Sequence, residues 1–143
     1  MEHIAIMKKA WGFTRKILSG EKTVESRWYM SRRLPWGRIR QGDAVYFKDS
    51  GEPVSVVARV AKVIQFSDLT PRKVGEIVER YGREAGMGKG DLQKFSGEFK
   101  NKRYCILVFL RDAHGVEPFR VDKSGFGLMS AWMTLNDVNA IRK

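Results

Sequence analysis

The chain has 143 residues, 43% hydrophobic and 30% charged, so one folded domain with a single core is expected and a disordered chain is excluded. Lys and Arg number 27 against 16 Asp and Glu, a formal charge of +11, which favours a polyanionic partner such as nucleic acid. One cysteine (Cys105) and two histidines (His3 and His114) leave no disulfide framework and too few ligands for zinc, so neither metal nor cofactor is expected. No signal-peptide pattern and no apolar run of membrane-spanning length occurs, which makes a cytoplasmic protein with no membrane partner the expectation.

In chain order, residues 3–7 read as a short strand, and Trp11, Phe13, Ile17 and Leu18 approximate helical spacing over residues 10–19. Gly20 stops that helix, because a glycine just past the last turn accepts the left-handed conformation that other residues resist. Residues 23–29 alternate as a strand, with Glu25 and Arg27 on one face and Val24, Ser26 and Trp28 on the other. Residues 31–38 form a loop by their proline and glycine, residues 44–48 a strand, and residues 54–66 a long strand paired with it across a turn. Thr70 and Pro71 announce a helix whose Val74, Ile77, Val78 and Tyr81 make one apolar stripe. A glycine-broken segment holding Glu84 follows, and residues 91–97 read as a short helical turn. Residues 103–111 are the most apolar strand, with Cys105 as a core residue. His114 and Gly115 are read as turning the chain into a returning strand over residues 116–121, and Asn136 as the cap of a last short turn. The architecture expected is a single α+β domain over residues 1–143: five to six mostly antiparallel strands in a small β-barrel with two or three flanking helices.

The stretch Gly20-Glu21-Lys22-Thr23-Val24-Glu25-Ser26-Arg27 gathers a lysine, a carboxylate and an arginine around one corner. From Lys22 to Arg40 six basic residues (Lys22, Arg27, Arg32, Arg33, Arg38 and Arg40) stand against one acid, Glu25, interleaved with Trp28, Tyr29 and Trp36. Arginines contact phosphates and aromatic faces stack on bases, so these ten residues are the candidate nucleic-acid contacts. Lys22 can reach a phosphate or, if buried, act as a base with a lowered pKa. Glu25 can accept hydrogen bonds from a base edge while Arg27 keeps it ionised, and a purely structural clamp is the alternative for this pair.

The same eight residues fit the GxKxxExR signature of the ASCH domain, a branch of the PUA-like superfamily, and Trp28 after them strengthens the match. The chain resembles that family over essentially its whole length, through the preceding helix and the turn and strand from Gly42 to Phe47. The resemblance implies a β-barrel with a cleft beside the motif strand, an RNA or nucleotide-like ligand, and proteins of RNA metabolism as further partners. One hydrolytic branch removes the acetyl group from acetylated cytidine with the signature lysine, a threonine and a glutamate. Lys22 stands at the lysine position, Glu25 where that branch has its threonine, and Glu84 is the candidate acid. With no hydroxyl in place, RNA binding is the leading reading; an amidohydrolase acting on a modified nucleoside, or a ribonuclease, is the alternative.

Overall fold

The computed structural model describes residues 1–127 and 130–143. Among these, strands β1 (Glu2–Met7), β2 (Val24–Tyr29), β3 (Ala44–Asp49), β4 (Val54–Phe66), β5 (Tyr104–Phe119) and β6 (Trp132–Leu135) form one sheet in the order β2-β5-β4-β3-β1-β6. β1 runs parallel to β3, and the other neighbours are antiparallel. The sheet curls into a half-barrel carrying helices α1 (Phe13–Ser19), α2 (Pro71–Tyr81) and α3 (Leu92–Phe99), an α+β fold.

Local chemistry accounts for much of this. Gly20 takes φ +85° and its amide closes α1 on the Ile17 carbonyl at 3.2 Å, turning the chain into β2. α1 is shorter than the spacing predicts because Gly12, itself left-handed at φ +66°, separates it from a 3₁₀ turn at Lys9–Trp11, and Leu18 faces solvent. Along β2 the alternation holds: Val24 and Trp28 are buried on one face, and the Trp28 indole stacks on Phe99 at 4.9 Å and 7°. That stack contributes about 0.5–1.5 kcal/mol beyond its area. The Thr70 hydroxyl accepts from the Lys73 amide at the start of α2, whose Val74, Ile77 and Val78 are buried.

Three details differ from the sequence reading. The His114-Gly115 turn does not form: β5 runs unbroken to Phe119, because Asp112 takes φ +56° and absorbs the irregularity as a bulge while the ladder to β4 continues. β6 is absent from that reading, and it pairs with β1 at the far end of the sequence. Asp137, not Asn136, caps the last 3₁₀ turn (Val138–Ile141), accepting from the Asn139 amide at 2.9 Å. Two clusters of apolar side chains result. The larger joins α1, α2, α3 and the sheet, and the smaller lies under the C-terminal segment around Ile4, Val54, Phe119, Met133 and Val138. Among the described residues no helix is long and apolar enough to cross a membrane.

Candidate nucleic-acid interface

The motif stretch builds a buried charged triad. Lys22 is 1% exposed and Glu25 3%. The Lys22 ammonium donates to the carbonyls of Val24 (2.7 Å) and Ala85 (2.5 Å) and pairs with Glu25 Oε1 at 3.0 Å, with Nζ 4.4 Å from the Phe13 ring centre. Three acceptors need three N–H donors, so the lysine is charged in this arrangement. Burial pushes its pKa down and the Glu25 carboxylate opposes the shift. For Glu25 burial pushes up, but Lys22 and Arg27 together outweigh it and hold the carboxyl below its ordinary value. A cation whose donors are all engaged is placed to hold the fold; serving as a base would first cost it those bonds.

The segment after α2 is folded over this lysine. The Glu84 carbonyl accepts from the amides of Thr23 (2.8 Å) and Val24 (2.9 Å), and the Lys16 ammonium donates to the Gly86 carbonyl at 2.8 Å. Gly86 is required twice over: it sits at φ +89°, and a Cβ there would stand 3.0 Å from the Lys22 side chain. Glu84 thus contributes its backbone to the site, while its side chain is exposed.

Arg27 carries the triad across the open side of the half-barrel. Its Nε and Nη2 both meet Glu25 Oε2 at 2.8 Å, Nη2 donates to the Ile6 carbonyl at 3.2 Å, and Nη1 to the Ala131 carbonyl at 3.3 Å. β2 is one edge of the sheet, whereas β1 and the run into β6 lie toward the other. The guanidinium therefore bridges by side-chain hydrogen bonds a gap that a closed barrel would bridge by a backbone ladder. It also lies 5.1 Å over the Trp132 ring, and its side chain is 12% exposed.

Trp132 is fixed from behind by His3. The indole N–H of Trp132 donates to His3 Nδ1 at 3.1 Å, and an indole nitrogen is only a donor, so Nδ1 is unprotonated. Nε2 carries the proton and donates to Asp43 Oδ2 at 2.8 Å. Burial pushes the His3 pKa down against the pull of Asp43, and the amino terminus and Arg38 add to the downward push. The unfolded chain, with a histidine near about 6.5, then binds more protons than the native one between that pH and the lower native value. Stability is therefore full above about pH 6.5 and falls as the pH drops through this window, by at most about 1.4 kcal/mol per pH unit. Urea unfolding midpoints at pH 7.5 and 5.5 check this: the wild type loses stability, while His3→Asn, less stable throughout, lacks the histidine-linked drop.

The basic loop between β2 and β3 lies outside the triad. Arg32, Arg33, Arg38 and Arg40 are exposed. Arg32 stands 5.5 Å from the Trp36 ring and 5.8 Å from Tyr104, and Trp36 meets Tyr104 edge to face at 5.3 Å, so the loop carries a half-exposed aromatic platform topped by a guanidinium. The loop is pinned by Tyr29 Oη donating to the Leu34 carbonyl (2.9 Å), by the Gly37 amide on Gln65 Oε1 (2.7 Å) and by the Arg40 amide on Asp43 Oδ2 (3.0 Å). Tyr29, Arg33, Leu34, Ser130, Ala131 and Trp132 line a cleft of about 230 Å³ beside β2.

The ten candidate residues thus divide. Lys22, Glu25 and Trp28 are inside, and Arg27 is mostly covered. Tyr29 and Trp36 are half-buried, and the four loop arginines are in solvent. Tyr104, Trp132 and the carbonyls of Ala85 and Ala131 join the site without being among the candidates. Tyr104 had a signal in its place at the end of the most apolar strand; the carbonyls, being backbone, had none.

This curled six-stranded half-barrel is similar in fold to solved ASCH structures. The crystal structure of ASCH from Zymomonas mobilis is similar to this chain with a TM-score of 0.69 and 20% identity, covering 99% of this chain and 96% of that one. A mutant of that protein is similar with the same TM-score and 22% identity, over 97% of this chain and 91% of that one. At such identity the likeness is one of fold. No protein-family model and no curated protein sequence matches the chain.

Proposed function

We propose that this domain binds single-stranded RNA along the β2–β3 loop, with a nucleotide held in the adjoining cleft. The observation that carries the reading is that one loop holds four exposed arginines and the Trp36 of the Trp36–Tyr104 platform, and that Arg33 of the same loop lines the cleft with Tyr29 and Trp132. Arginines supply phosphate contacts that tolerate any sequence, and an aromatic face supplies stacking that tolerates any base. The buried triad has a different part: it holds β2, β1 and the run into β6 together so that the cleft keeps its walls. An ASCH-type fold is compatible with RNA binding.

Fluorescence anisotropy of a labelled single-stranded RNA tests the reading. The wild type binds at physiological salt, and Trp36→Ala costs about 1–3 kcal/mol of affinity, the worth of one stacked base. That cost is nearly independent of salt, unlike the effect of removing an arginine. Absence of binding by the wild type, with the fold verified by circular dichroism, overturns the proposal.

A further inference from the structure

A cavity of about 560 Å³ lies away from the motif, on the sheet where β3, β4 and β5 meet. Arg59 of β4 and Arg111 of β5 both line it, and they are direct register partners in an antiparallel pair. Side chains directly opposite in such a pair share a face, where two like charges repel. The bulge brings a third polar group to them. Val57 pairs with His114 and Arg59 with Arg111, so β5 spends three residues where β4 spends two, with Asp112 left-handed at φ +56°. Strict alternation would send Arg111 and His114 to opposite faces; the bulge sets both beside Arg59.

Hydrogen bonds fix these groups while leaving donors over. Arg59 Nη1 donates to the Gly42 carbonyl at 3.3 Å and Arg111 Nη1 to Asp112 Oδ2 at 2.6 Å, one hydrogen bond among the described residues for each five-donor guanidinium. His114 Nδ1 donates to the Asp112 carbonyl at 3.0 Å, which leaves Nε2 for a ligand. Tyr46, Val57 and Val116 add an aromatic and apolar wall. Paired guanidiniums match a phosphate dianion bidentately, and the wall suits a flat ring attached to it.

We propose that this pocket binds the phosphate monoester of a nucleotide, held by Arg59 and Arg111 with the ring against Tyr46 and Val57. Two sources share that chemistry: a free nucleoside monophosphate and the phosphorylated end of an RNA chain. Only the second rests on the RNA-binding reading above.

Calorimetric titration compares adenosine monophosphate with adenosine, and a 5′-phosphorylated tetranucleotide with its 5′-hydroxyl counterpart. The phosphorylated member of at least one pair binds about tenfold or more tightly. That preference disappears in Arg59→Gln and in Arg111→Gln and persists in Arg72→Gln, a matched charge removal on exposed α2. It increases in Asp112→Asn, which removes the competing carboxylate at a position asparagine tolerates. A preference confined to the monophosphate identifies a free nucleotide, and one confined to the tetranucleotide a chain end. Equal binding within both pairs, or a preference that survives both arginine substitutions, overturns the proposal. If neither tetranucleotide binds but the monophosphate preference holds, the RNA reading falls and the pocket stands. If both tetranucleotides bind alike and the monophosphate shows no preference, the reverse is true.

Discussion

Glu25→Gln lowers the unfolding free energy by about 3–5 kcal/mol, the cost of leaving buried charge without its partner. The amide has the shape of the carboxylate but brings N–H groups to a place where Lys22 and Arg27 both point donors. The ammonium keeps the carbonyls of Val24 and Ala85, yet no counter-charge remains against it in a site closed to water. Against a typical domain stability of about 5–15 kcal/mol this is a large share. Urea unfolding followed by tryptophan fluorescence measures it, and a decrease below about 1 kcal/mol contradicts a buried clamp. The pH dependence has a fixed sign as well. The native Glu25 carboxyl is held below its ordinary value, so its contribution is complete above the unfolded pKa of about 4.3 and is lost as the pH falls through the native one. Glu25→Gln abolishes that acid-side component.

The second large effect falls on RNA and leaves the fold alone. Replacing Arg32, Arg33, Arg38 and Arg40 together by Gln removes four exposed charges, and RNA affinity at physiological salt drops by about a hundredfold as counterion release diminishes. Thermal stability moves little, because no salt bridge engages these side chains among the described residues and the loop is held by Tyr29, Gln65 and Asp43. Anisotropy and a melting curve on the same preparation separate the two effects. A collapse of the melting temperature would mean that the arginines hold the loop in place.

What could be read in the sequence was what neighbouring residues decide between themselves. Gly20 after an amphipathic helix, Thr70 before Pro71, and the alternation from Val24 to Trp28 each carry their cause within a few positions, and each appears where expected. β6 is four residues long and exists because β1, from the other end of the chain, offers it a ladder. His114 and Gly115 have turn chemistry, but the long partner strand β4 keeps β5 extended through them. The site divides along the same line. Exposed arginines need no distant partner, so the basic loop was legible from composition. The burial of Lys22 depends on the Ala85 carbonyl and on the bare Cα of Gly86, and the role of Arg27 on the carbonyls of Ile6 and Ala131. Backbone groups brought from three other segments leave no trace in a motif of about eight residues.

On the proposed reading, the motif triad holds the half-barrel while the loop arginines grip RNA phosphates. The salt dependence of RNA affinity tests this division most directly, measured for the wild type and for the Arg32, Arg33, Arg38 and Arg40 to Gln variant between about 0.05 and 0.3 M salt. The expected result is a slope of log K against log salt that is shallower in the variant by about 3, roughly 0.7 for each phosphate that the variant leaves without its arginine. An unchanged slope would contradict the account, placing the phosphate-binding groups elsewhere on the protein.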